Sequence, residues 1–140
     1  MKSTPYTIEP IGYVRSGLTR REEAPMQGDE SAPEAWLDLV PSASPGLMGI
    51  RAGDPLIVLT WLHLALRDVL QVHPRGDPAR PLTGVFATRS PDRPNPVGLH
   101  RVTVLEVTER SLRVAPLEAI HGTPIVDIKS VLSGTDPSER

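Results

Sequence analysis

The 140-residue sequence contains no cysteine. Disulfides and thiolate metal sites are therefore excluded, and a reducing compartment is the natural expectation. Glycine-rich phosphate loops are missing in both the dinucleotide-binding and the P-loop form, so a doubly wound nucleotide fold is not expected. There is no Gly-x-Ser-x-Gly elbow, and Ser90 precedes a proline, a poor setting for a nucleophile. The four histidines, at 63, 73, 100 and 121, include no i, i+4 pair, and no metal is expected. Met1 to Pro5 lacks the apolar segment of a signal peptide. The longest apolar-rich run, Pro55 to Leu66, is too short to span a bilayer and contains His63. These absences together predict a cytoplasmic protein away from any membrane.

The length suggests one domain, with enough chain for a core that needs no staples. Net charge is −2, but it is unevenly spread. Between Arg67 and Arg101 there are six arginines against three aspartates, a local +3, and the remainder sums to −5. That stretch has the charge to meet an anion or a nucleic-acid backbone. Solvated surface arginines account for the same count equally well.

Prolines are abundant, and three of them stiffen Gly84-Val85-Phe86-Ala87-Thr88-Arg89-Ser90-Pro91-Asp92-Arg93-Pro94-Asn95-Pro96-Val97-Gly98-Leu99. Each fixes its own φ and holds the preceding residue extended. A stiff loop keeps its polar side chains in place and loses little entropy on binding. Arg89, Ser90, Arg93 and Asn95 are the side chains so held.

Strands are expected at Tyr6–Val14, Ala35–Val40, Leu56–Leu64, Gly84–Thr88, Gly98–Thr108 and Ser111–Val114, with Leu117–Ile120 and Pro124–Ile128 flanking a His121-Gly122-Thr123 turn. His63 then reads as a buried strand histidine. Leu47–Ile50 suggests one helical turn. Residues 15–33 and 67–83 read as long loops, the second held irregular by three prolines and Gly76. Val102 and Val104 share one face of their strand, with Arg101 and Thr103 on the other. Asp127 and Lys129 share a face of theirs. They are solvated if Val126 and Ile128 face the core, and they line a cavity if the faces are reversed. Six or seven strands with few helical signals argue for an all-β barrel or sandwich. The domain is expected to run over residues 1–132, with 133–140 a flexible tail.

The Gly84–Leu99 stretch resembles the signature of the TsaA-like family, also called TrmO or YaeB. Ile11-Gly12-Tyr13-Val14-Arg15-Ser16, Pro25-Met26-Gln27-Gly28, Trp61-Leu62-His63, Val72-His73-Pro74-Arg75-Gly76-Asp77, Gly122-Thr123-Pro124 and Asp127-Ile128-Lys129 resemble its other landmarks, so the likeness covers nearly the whole chain. The sequence departs from the family pattern at His121, Leu64 and Met26.

The resemblance implies a single small closed β-barrel with long loops and few helical turns. It implies a homodimer that binds S-adenosylmethionine and methylates N6 of threonylcarbamoyladenosine beside the tRNA anticodon. Other acceptors, or binding without transfer, are the alternatives. Carried over by motif, the cofactor contacts are Pro25, Met26, Gln27, His63, Leu64, Arg89, Leu99, His121, Gly122, Thr123 and Pro124. Arg75, Arg80, Arg93, Asn95 and Lys129 are candidate substrate contacts. A carboxylate near the acceptor nitrogen would help remove its proton, and Asp127 is the candidate for that role.

Overall fold

The structure is a computed structural model that describes residues 3–19 and 33–132. Six strands close an antiparallel barrel: β1 (Gly12–Arg15), β2 (Ala35–Leu39), β3 (Pro55–Trp61), β6 (Val97–Val107), β7 (Ser111–Ala115) and β8 (Pro124–Ser130). Their order around the barrel is β1-β2-β7-β6-β3-β8, so no edge of this sheet is left open. Two short strands, β4 (Gln71–Val72) and β5 (Thr83–Gly84), pair with each other outside it.

Period-2 alternation decides which side chains fill the barrel. On β2, Ala35, Leu37 and Leu39 are buried; on β3, Leu56, Val58 and Thr60; on β7, Leu112 and Val114. β6 contributes Val102 and Val104, as their spacing predicts, and carries His100 inward with them. The β3–β6 register sets Leu56 opposite Val102, Val58 opposite His100 and Thr60 opposite Gly98. The interior is therefore apolar at one end and turns polar toward the end of β3 and the start of β6. Everything from Leu62 to Pro96 is one excursion leaving and returning at that polar end, closed by the Leu62 amide on the Pro96 carbonyl at 2.8 Å.

Several local expectations change. The first strand starts at Gly12 rather than Tyr6. Pro5 and Pro10 cannot donate to a ladder, and Tyr6 and Ile8 remain exposed. The helical turn expected at Leu47–Ile50 is a 3-10 segment displaced to Pro41–Leu47, started by the fixed φ of Pro41. β3 stops at Trp61, so His63 is an exposed turn residue and not a buried strand histidine.

The strand expected at Gly84–Thr88 does not form. Only Gly84 pairs, and Val85–Ala87 make a 3-10 turn whose carbonyl at Val85 accepts both the Thr88 amide and its hydroxyl, each at 3.0 Å. The 67–83 connection is not wholly irregular, because Gln71 and Val72 reach Thr83 and Gly84 around the proline-rich bend. Leu117, Ala119 and Ile120 are buried, but the segment they belong to is no strand. The proposed tail from Ser133 lies outside the described residues.

Candidate functional site

The polar end of the barrel opens into a cleft of about 890 Å³. Its walls come from the turn after β3 (Leu62, His63, Leu64, Ala65), the Val72–Gly76 bend, the Phe86–Arg93 loop, the start of β6 (Val97–His100), and Glu118–Ile120 with Thr123. A cleft of this size, with apolar walls and a few convergent polar groups, has the character of a small-molecule site.

The proline-stiffened loop is braced from within. The Arg93 guanidinium donates through Nη2 to the Val85 and Thr88 carbonyls, the latter at 3.1 Å. The Arg93 amide donates to the Leu66 carbonyl at 3.0 Å, and the Leu66 amide donates to Asp92 Oδ1 at 2.8 Å. At the loop's base, Arg67 stacks on Trp61 with 5.1 Å to the ring centroid. It also donates to the Pro94 carbonyl at 2.7 Å and to Asn95 Oδ1 at 2.9 Å. Prolines and arginines thus fix both legs of the loop. Arg89, at its tip, is exposed, lines the cleft, and has no hydrogen bond or ion pair among the described residues.

A buried polar chain forms the floor. Thr60 Oγ1 and His100 Nε2 are 2.6 Å apart, and His100 Nδ1 lies 2.5 Å from Glu118 Oε1. With Glu118 ionised, Nδ1–H donates to the carboxylate and Nε2 accepts the Thr60 hydroxyl, so both imidazole nitrogens are satisfied. Thr60 and His100 are 0% and 3% exposed. Among the described residues Glu118 Oε2 has no hydrogen-bond partner, yet none of their buried side-chain polar atoms is left unsatisfied. That oxygen therefore keeps some exposure, on a side chain that is 14% exposed and lines the cleft. Thr123, at the rim of the same floor, is buried and donates to the Ile120 carbonyl at 2.8 Å.

Of the residues singled out from sequence, His63, Leu64, Arg89, Leu99 and Thr123 line the cleft. Arg75 and Arg93 line it too, Arg75 from a left-handed conformation (φ 57°) next to Gly76. His121, Gly122, Pro124, Arg80, Asn95, Lys129 and Asp127 do not. His121 instead accepts the Ser16 amide at Nδ1 (3.3 Å), and Asn95 supports the loop base. The Arg80 carbonyl takes the Nδ1 proton of His73 at 2.8 Å.

Asp127 and Lys129 sit opposite Leu59 and Ile57 on the outer face of the barrel, paired at 2.9 Å with 44% and 61% of their side chains exposed. Both are solvated, as in one of the two alternatives the sequence leaves open, but only half of its premise holds: Ile128 packs on the core, whereas a shift in the β3–β8 register puts Ile125 inward and leaves Val126 out of the core. Pro25, Met26 and Gln27 lie outside the described residues.

The sequence reading passed over Thr60, His100 and Glu118. For His100 the signal was available, since it shares the inward period of Val102 and Val104. Glu118 had none, because an irregular connection carries no period. Among the described residues no group of His, Asp and Glu is arranged to hold a metal ion. No helix among them is long and apolar enough to cross a membrane.

Residues 13–137 match the family of the tRNA-methyltransferase O N-terminal domain. A curated relative from Methanothermobacter thermautotrophicus, named "Probable S-adenosyl-L-methionine-binding protein", is 45% identical over 129 residues, covering 92% of each chain. An "S-adenosyl-L-methionine-binding protein" from Archaeoglobus fulgidus is 41% identical over 122 residues, covering 87% of this chain and 86% of that one. The crystal structure of TrmO from Pseudomonas aeruginosa is similar with a TM-score of 0.73 at 27% identity. That match takes in 96% of the present chain but only 59% of the TrmO chain.

Proposed function

The chain belongs to the tRNA-methyltransferase O N-terminal domain family, and from that footing we propose that it is an S-adenosylmethionine-dependent tRNA methyltransferase. The acceptor we propose is N6 of threonylcarbamoyladenosine beside the anticodon. The observation that carries the reading is the cleft itself. Five residues carried over as cofactor contacts, spread from His63 to Thr123 in sequence, line one cavity.

The residues present fit the cofactor. Leu62, Leu64 and Leu99 supply apolar wall, and Arg89 supplies an uncommitted guanidinium for a carboxylate. When bound, the cofactor supplies a methyl group on a sulfonium. The chain's own work is then largely alignment of donor and acceptor, for which a braced loop is suited. The Arg75 side of the cleft is the proposed approach for the tRNA backbone. Pro25, Met26 and Gln27, together with the His121–Pro124 turn, complete the proposed cofactor contacts.

The proposal includes a homodimer in the cytoplasm. Leu64, Phe86, Val97 and Leu99 are exposed around the cleft mouth, 81% in the case of Phe86, and apolar surface of this kind supports a partner there. Light scattering on the purified protein checks it.

The deciding experiment has two arms. Nucleoside mass spectrometry compares tRNA from a strain with and without this protein. Methyl transfer by the purified protein is then measured on tRNA with and without the threonylcarbamoyl group. Loss of the N6-methylated nucleoside, and transfer only to threonylcarbamoylated tRNA, are expected. Unchanged tRNA and no transfer would overturn the reading.

The curated relatives are named for cofactor binding alone, and the chain spans about six-tenths of the TrmO structure. These observations favour a second reading, in which the protein binds S-adenosylmethionine without transfer or methylates a small molecule or another nucleoside. Cofactor binding by calorimetry with no transfer to any tRNA is its signature.

A further inference from the structure

The proposed reaction leaves a proton to be disposed of. The acceptor nitrogen begins with a hydrogen and ends with a methyl, so a group within hydrogen-bond reach must take the proton. Among the described residues, two carboxylates line the cleft, Asp92 and Glu118. Asp92 is committed to the loop, where its Oδ1 accepts the Leu66 amide at 2.8 Å. Asp127 lies outside the cleft and faces Lys129 at 2.9 Å.

Glu118 is held differently. One oxygen is fixed by His100, which is itself fixed by Thr60 on the neighbouring strand. The other oxygen keeps some exposure and has no hydrogen bond among the described residues. A carboxylate so placed has a set orientation and spare acceptor capacity, the two requirements for a base. His63 and His73 also line the cleft. His73 spends Nδ1 on the Arg80 carbonyl, and His63 is exposed with no hydrogen bond among the described residues to orient it.

We propose that Glu118 Oε2 accepts the proton from the acceptor nitrogen, and that His100 is the positioning residue that holds Glu118 toward the cleft. The inference rests on the methyl-transfer reading above. In the balanced step, the nitrogen forms a bond to the methyl carbon as the carbon–sulfur bond breaks. The bonding pair goes to sulfur, which becomes a neutral thioether, and the N–H proton passes to Glu118. No oxidant, reductant or further co-reactant is consumed.

The test uses the full chain and tRNA carrying threonylcarbamoyladenosine. Glu118→Gln preserves the size of the side chain and an oxygen for the His100 proton. It is expected to lower kcat on the order of 100-fold or more while the calorimetric Kd for S-adenosylmethionine is unchanged. Glu118→Ala is expected to be similarly slow and to regain part of its rate when formate is added, a response that a packing role would not produce. His100→Gln is expected to lower kcat less than Glu118→Gln, again without a change in cofactor Kd. Thermal unfolding of each variant establishes that it is folded. Wild-type turnover in folded Glu118→Gln overturns the assignment. So does a loss accounted for entirely by weaker cofactor binding, which would make the carboxylate a ligand contact. An inactive wild-type chain overturns this inference and the methyl-transfer reading together, whereas an active wild type with an active Glu118→Gln overturns this inference alone.

Discussion

Gly98 stands so close to Thr60 that a Cβ at position 98 would lie 2.4 Å from the Thr60 hydroxyl oxygen and 2.7 Å from His100 Nε2. The glycine is required for room. Its absent side chain is the space in which the Thr60–His100 hydrogen bond is made. Gly98→Ala must displace that pair or the strand, and overpacking of this kind costs about 1–3 kcal/mol. Urea unfolding should show a lower midpoint with an unchanged slope. Because that pair holds Glu118 in place through His100, methyl transfer should slow as well.

Arg93 and Arg89 lie four residues apart in one loop and have opposite uses. Arg93 donates to the Val85 and Thr88 carbonyls, so its charge is absorbed by the fold. Arg93→Lys keeps the charge but loses the planar fork. A loss of about 1.5–3 kcal/mol is expected, the range for hydrogen bonds to charged groups. Amide hydrogen exchange should quicken at Thr88, whose N–H closes the same turn. Arg89→Gln should leave the unfolding midpoint unchanged and weaken cofactor binding about tenfold, equivalent to about 1.4 kcal/mol. Calorimetry on the two variants separates the roles.

Asp127→Asn should leave methyl transfer at the wild-type level. Its carboxylate is on the outer face of β8 beside Lys129, and no atom of it lines the cleft. An exposed pair of this kind contributes less than about 1 kcal/mol. Single-turnover transfer assays with this variant and Glu118→Gln side by side locate the base on one side of the barrel wall or the other.

Period-2 alternation made the barrel strands legible wherever one face is buried and the other wet. Val102 and Val104 on β6 and the apolar run of β3 are examples. The same rule holds His100 inward, and the histidine went unread because its partners are far away in sequence. Thr60 is 40 residues upstream and Glu118 is 18 downstream. Only the β3–β6 register and the connection after β7 bring the three together. Gly84–Thr88 failed as a strand for a local reason: the Thr88 hydroxyl and amide both turn back on the Val85 carbonyl, and side-chain-to-backbone bonding competes with a ladder. Arg93 was legible as a fixed side chain but not as a brace, since its acceptors are main-chain carbonyls that every residue possesses.

Stability should depend on acid through Asp38. The Arg15 guanidinium donates to both its carboxylate oxygens, at 2.8 and 3.0 Å, and Ser111 Oγ adds a third bond at 2.7 Å. Hydrogen bonding to Arg15 is the main cause that holds the Asp38 carboxyl below its ordinary range; partial burial opposes it, and Ser111 adds to the lowering. With the folded value depressed, the unfolded chain binds the proton more readily, so stability rises with pH between the two values. The contribution is complete above the unfolded value of about 3.9 and is lost as pH falls through the folded one. The pair is half exposed, with 52% of the Arg15 and 39% of the Asp38 side chain accessible, so the effect should be about 1 kcal/mol or less and smaller in high salt. Urea unfolding from pH 6 down to pH 2 should show wild type and Asp38→Asn separated at the upper end and converging below about pH 4. A constant separation through that range would mean the asparagine acts by packing, not by charge.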